Sequence, residues 1–127
     1  MTYLLDTSTF LWAASAPRFL SAKARRVCES STADRVVSVG SLWEIAVKCS
    51  IGKLEIADPA TRLPAWIVAL GARVLPIEAR HAYLAYTLPL LHRDPFDRML
   101  VAQAAAEDLV LVTSDEAIRQ YSVRWLW

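Results

Sequence analysis

The stretch "HRDPFDRMLVAQAAA", from His92 to Ala106, sets two aspartates three residues apart at the head of a nearly all-apolar run. Asp94 followed by Pro95 has the form of a helix N-cap and its first helical residue, where proline's missing N–H and fixed φ cost nothing. Asp97 then falls at the third helical position, facing unpaired amides and the positive end of the helix dipole. Capping accounts for Asp94. Asp97 shares its helical stripe with Leu100, Val101 and Ala104, so it points along a face that must pack.

Three more acids follow apolar runs. Asp6 ends "TYLLD" and Asp115 follows "LVLVT". Glu44 lies in "SVGSLWEIAVK", read as the first turn of a helix capped by Ser41. Each has a local role available: a post-strand turn for Asp6, a helix-opening turn for Asp115. For Glu44 it is a Ser41-x-x-Glu44 capping box, with Lys48 in reach one turn on. Clustering changes their meaning. Two carboxylates about 5 Å apart repel by roughly 3 kcal/mol at an effective dielectric near 20, so four together need raised pKa values or a cation. A hard divalent ion answers that, and Mg²⁺ or Mn²⁺ suits a cage of carboxylates and waters. The chemistry that goes with it is metal-assisted phosphoryl transfer, with one ion or two activating water and steadying the leaving oxygen.

Whether the acids meet depends on the elements carrying them. Apolar strand-like runs ("TYLL", "RVVSV", "RVLPI", "LVLVT", "SVRWLW") alternate with helical segments from end to end. The helices read as "STFLWAASA", "LSAKARRVCES" opened by Ser21, the Ser41-capped segment stopping near Gly52, "PATRLPAWIVALGA" ending at Gly71, "EARHAYLAYTLP", the Asp94 helix and "SDEAIRQY". Such alternation predicts an α/β protein with a parallel sheet covered on both faces. Right-handed crossovers then bring the carboxyl ends of all strands to one edge. Asp6, Glu44 and Asp115 emerge there, and the helix of Asp97 begins nearby because it runs back antiparallel to the strand it feeds.

A chain of 127 residues fits one domain spanning 1–127, and its net charge of +1 carries no basic field for nucleic acid. Cys28 and Cys49 have no zinc spacing and read as reduced thiols. The opening "MTYLLDTSTF" lacks a basic n-region and is cut by Asp6, so no secretory signal is expected. No apolar stretch approaches a membrane span. A cytoplasmic protein without a membrane is the expectation.

Taken together, "LLDTSTFLW", "SVGSLWEIAVKCSIGKLE", "LPLLHRDPFDRMLVAQA" and "LVTSDEAIRQYSVRWLW" cover nearly the whole chain and resemble the PIN-domain ribonuclease toxins of the VapC type, from bacterial type II toxin–antitoxin pairs. The resemblance implies a PIN-like α/β/α sandwich with a central parallel β-sheet, and an acidic quartet of Asp6, Glu44, Asp97 and Asp115 that binds Mg²⁺ and is catalytic. Thr113 would help position that site, and Asp94 would support it through water. Ser8 and Leu91 stand where histidines are expected; neither place belongs to the metal ligands. By resemblance the substrate is RNA and the partner a small cognate antitoxin. Arg93, Arg98, Lys48 and Lys53 flank the acids where phosphates would be steered. The apolar excess, including "VRWLW", Trp66, Ile67 and Leu70, fits a homodimer interface and an antitoxin groove.

Other classes fit less well. A phospho-receiver needs a late lysine, and none follows Lys53; a haloacid-dehalogenase-like phosphatase needs a second aspartate at the place of Ser8. A catalytically inert PIN-like module that binds RNA or a partner is the alternative, and the complete quartet speaks against it.

Overall fold

The computed structural model describes every residue from Met1 to Trp127. In chain order the elements are β1 (Thr2–Leu5), α1 (Thr7–Ser15), a 3₁₀ turn (Pro17–Phe19), α2 (Ala22–Glu29), β2 (Asp34–Ser38), α3 (Val39–Ser50), α4 (Pro59–Ala69), β3 (Ala72–Leu75), α5 (Ala79–Thr87), α6 (Pro95–Glu107), β4 (Val110–Val112), α7 (Glu116–Arg119) and β5 (Trp125–Leu126). The strands form one sheet in the order β3-β2-β1-β4-β5. All pairings are parallel, as the alternation predicted.

Register explains the two-sided core. Leu4 pairs with Val36 and Leu111, while Leu5 pairs with Val37 and Val112. Successive strand residues face opposite sides, so the first trio packs against Leu100, Val101, Ala104 and Ile118 of α6 and α7. The second trio meets Phe10, Ala24, Val27, Ile45, Leu63 and Ile67 from α1 to α4. Each such fully buried Leu or Val contributes roughly 1.5–3 kcal/mol of transfer free energy. Burial on both faces is confined to the middle of the sheet: at the edge strand β3, Arg73 and Val74 are exposed. Arg35, a charged residue in β2, is buried because it closes two helix ends. Its guanidinium donates to the carbonyl oxygens of Val27 in the last turn of α2, of Ser30 just after it and of Leu70 just after α4. Those carbonyls have no intrahelical partner.

The start of α3 corrects the sequence reading. Ser38, the last residue of β2, is the cap: its backbone is extended and its Oγ accepts the Gly40 N–H at 2.9 Å. Strand therefore runs into helix without a loop, three residues earlier than a Ser41 cap requires. No Ser41–Glu44 capping box forms. Both side chains lie buried within α3, and Glu44 is carried past the first turn. Gly40 permits the tight entry, since a Cβ there would sit 3.2 Å from Ser38 Oγ and 3.4 Å from Ile77 Cδ1.

Candidate active site

The carboxyl edge of the sheet is held by helix N-termini. The Thr9 N–H donates to Asp6 Oδ1 at 2.8 Å, and the Ala117 N–H donates to Asp115 Oδ1 at 2.8 Å. Asp94 caps α6 as expected, its Oδ1 accepting the N–H groups of Phe96 at 2.8 Å and Asp97 at 3.3 Å. A cap uses one carboxylate oxygen and leaves the other free to turn inward. For Asp6 and Asp115 that second oxygen is Oδ2. Asp6 Oδ2 accepts the Thr113 hydroxyl at 2.6 Å, and Asp115 Oδ2 lies 3.1 Å from His92 Nε2. Capping and site-building are therefore two jobs of the same side chains.

The remaining acids come from helix bodies. Glu44 is buried; its Oε1 accepts the Thr7 hydroxyl at 2.7 Å, and Lys48 Nζ donates to its Oε2 at 2.5 Å. The Thr7 hydroxyl also lies 2.9 Å from that of Ser41. Asp97 Oδ2 is 2.9 Å from His92 Nε2.

Electrostatics records the convergence. Burial, then the negative charges of Asp94, Glu44 and Asp6, push Asp97 up to about 7, against the pull of His92. Burial raises Asp6 as well; hydrogen bonds from Thr113 and Thr9 oppose it and Asp115 adds to it. Lys48 is raised, first by its bond to Glu44 and further by Asp94 and Asp97. The structure thus brings together Asp6, Glu44, Asp97 and Asp115, with Thr113 and Asp94 against them. Two residues without a sequence assignment join them: Thr7, adjacent to Asp6, and His92, whose only sequence signal was its place in "HRDPFDR".

The donor set fits a hard divalent ion. Carboxylate oxygens converge in surplus over the local cations, and protonation of Asp97 near neutrality is the protein's own relief of that surplus. A second group, Glu78, His81 and Glu107, fits a metal poorly. His81 Nδ1 accepts the Glu78 N–H at 3.0 Å, which leaves the ring proton on Nε2, where it meets Glu107 at 3.0 Å.

Several sequence candidates lie elsewhere. Arg98 turns away from the acids to the carbonyl oxygens of Ala85, Leu88 and Pro89, so both its terminal nitrogens are spent on tying a loop. Arg93 and Lys53 are exposed, as is Ser8. The suspected interface residues largely pack within the chain. Trp66 meets Phe10 edge-on, Ile67 is in the core, Trp127 lies against Trp12, and Arg119 covers Trp125. Trp125 itself stays exposed, and further exposed apolar surface is found at Trp43, Val68, Tyr83, Tyr86 and Leu90.

Such a site, acids at the carboxyl edge of a parallel sheet under helix N-termini, marks an α/β protein whose clustered side chains could hold a metal ion. The PIN domain family model matches residues 3–123, and the chain belongs to the PIN domain family. No curated protein sequence matches it. Among solved structures it is similar to VapBC2 from Rickettsia felis bound to a DNA fragment from their promoter (TM-score 0.75, 15% identity, covering 99% of this chain and 98% of that one). A toxin–antitoxin complex from Klebsiella pneumoniae aligns with TM-score 0.69, 15% identity and coverage of 98% and 96%. VapBC-1 from nontypeable Haemophilus influenzae aligns with TM-score 0.66, 18% identity and coverage of 99% and 97%. No helix of this chain is long and apolar enough to cross a membrane.

Proposed function

We propose that the chain, read as one PIN domain, is the toxin of a type II toxin–antitoxin pair and a metal-dependent endoribonuclease. In this reading Asp6, Glu44, Asp97 and Asp115 hold Mg²⁺ or Mn²⁺, Thr113 orients Asp6 and Asp115, and Asp94 supports Asp97. The observation that carries it is the convergence of four carboxylates on one edge, three of them oriented by hydrogen bonds and the fourth, Asp97, raised by burial and by its acidic neighbours. A divalent ion bound there supplies positive charge to the scissile phosphate and a nucleophile from water. The protein's part is to orient the oxygens: Thr9 and Thr113 hold Asp6, Thr7 holds Glu44, and Ala117 N–H holds Asp115. Lys48, beside Glu44 at the mouth, is placed to meet an RNA phosphate.

The similar solved structures include toxin–antitoxin complexes, which supports a small antitoxin as partner. An antitoxin and a second copy of this chain would between them cover the exposed apolar side chains, and the protein would act in the cytoplasm. The test is cleavage of total RNA by the purified chain with Mg²⁺ and with EDTA, beside growth on induction with and without the neighbouring small protein. We expect Mg²⁺-dependent cuts and growth arrest relieved by that protein. A folded, abundant chain that leaves RNA and growth untouched would favour an inert binding module.

A further inference from the structure

The loop before α6 is fastened from two sides. Arg98 donates to the carbonyl oxygens of Ala85 and Pro89 at 2.9 Å each and of Leu88 at 3.2 Å. The buried Tyr121 hydroxyl accepts the His92 N–H at 3.0 Å and donates to the Pro89 carbonyl at 2.8 Å. With its backbone held, the His92 ring folds back over the acids and is 18% exposed. Nδ1 accepts the Asp94 N–H at 3.2 Å, so in the neutral ring the proton sits on Nε2. That proton is directed at Asp115 Oδ2 at 3.1 Å, and Asp97 Oδ2 lies 2.9 Å from the same nitrogen.

A ring with this tautomer is a donor where a metal ligand must offer a lone pair. Its N–H stands against the same two carboxylate oxygens that a divalent ion would take, so ring and ion would compete for them.

We propose that His92 is a placeholder for the ion. It joins Asp97 to Asp115 in the metal-free chain, and it gives up their Oδ2 atoms when the metal engages them. The inference rests on the reading of the quartet as a metal site. His92 is thus a positioning residue with two effects of opposite sense: it steadies the clustered acids and weakens the binding of the ion. Arg98 and Tyr121 set the strength of both effects, because they hold the loop that aims the ring.

The experiment is calorimetric titration of the purified chain with Mn²⁺, in wild type, His92→Ala and His92→Gln. With the competing hydrogen bonds gone, His92→Ala is expected to bind Mn²⁺ about fivefold tighter, with a lower melting temperature in EDTA. His92→Gln, whose amide restores an N–H, is expected to move both values back toward wild type. In the wild-type chain, nitrogen-15 spectra should show a protected His92 Nε2–H in EDTA that is lost on adding Mg²⁺. Unchanged or weaker Mn²⁺ binding by His92→Ala, or an Nε2–H signal that Mg²⁺ leaves unmoved while it binds, overturns the placeholder and leaves the metal site standing. A wild-type chain that binds no divalent ion overturns the quartet reading and the placeholder with it.

Discussion

Thr113 Oγ1 lies 2.6 Å from Asp6 Oδ2, a buried bond between residues 107 positions apart, and the same oxygen accepts the Asp115 N–H at 3.0 Å. One hydroxyl thus ties the end of β1 to the turn after β4. Thr113→Val keeps the shape and removes the bond, leaving a buried carboxylate short of a donor. The expected cost is about 1–3 kcal/mol, read from urea unfolding in EDTA, with RNA cleavage reduced alongside it.

Asp97 is where stability and activity pull apart. Asp97→Asn keeps an acceptor in the first turn of α6 and removes one charge from the crowd. In EDTA at neutral pH the variant should be more stable than wild type by about 1 kcal/mol or more. Metal-dependent cleavage should nearly vanish, because an amide is a poor ligand for Mg²⁺. Wild-type cleavage by the folded variant would remove Asp97 from the site.

The same crowding sets a pH dependence. Asp97 and Asp6 both have folded-state pKa values above their unfolded value of 3.8, Asp97 at about 7. Their folded forms therefore hold protons more tightly than the unfolded chain does. The stability this gives is complete below the unfolded value and is lost as pH rises toward 7. Glu107, lowered by its bonds to His81 and Arg80, acts in the opposite sense as pH falls below its ordinary 4.5. Between about pH 5 and about pH 8 in EDTA, the urea midpoint of wild type should fall, and Asp97→Asn should flatten that fall.

The two thiols should separate under alkylation. Burial pushes Cys28 up to about 11, whereas Cys49 is partly open to solvent. Iodoacetamide followed by mass mapping is expected to modify Cys49 in the native chain and Cys28 only on unfolding. Cys28 labelling at the same rate as Cys49 would contradict its packing.

Arg98→Ala should behave as a stability variant. Removing three carbonyl contacts and the bond to Tyr121 is expected to cost about 2 kcal/mol. Arg93→Ala, at an exposed position, should stay within about 0.5 kcal/mol of wild type.

The order of elements, the parallel sheet and the Asp94 cap were legible in the sequence, because Asp-Pro and alternating apolar runs act locally. Ser41 was misread because Ser38, still in the strand, is an equally good cap three residues earlier; only the absence of a loop between β2 and α3 decides between them. Arg98 was misread because a basic residue beside an acid looks alike whether it faces solvent or a bent loop. His92 was hidden for the related reason that its ring is aimed by Tyr121, which stands 29 positions away. Local periodicity cannot report such a bond.

The place of β4 in the sheet has a consequence in time. Asp6 is made 107 residues before Thr113, yet its strand pairs with Val110–Val112, in the segment that also brings Thr113 and Asp115. A chain still growing on the ribosome can fold β1 against β2 early, while the acidic edge lacks a wall. Whatever chemistry this edge performs waits until Thr113 and Asp115 have been made, and a chain cut short before Asp115 lacks one wall of the acidic edge.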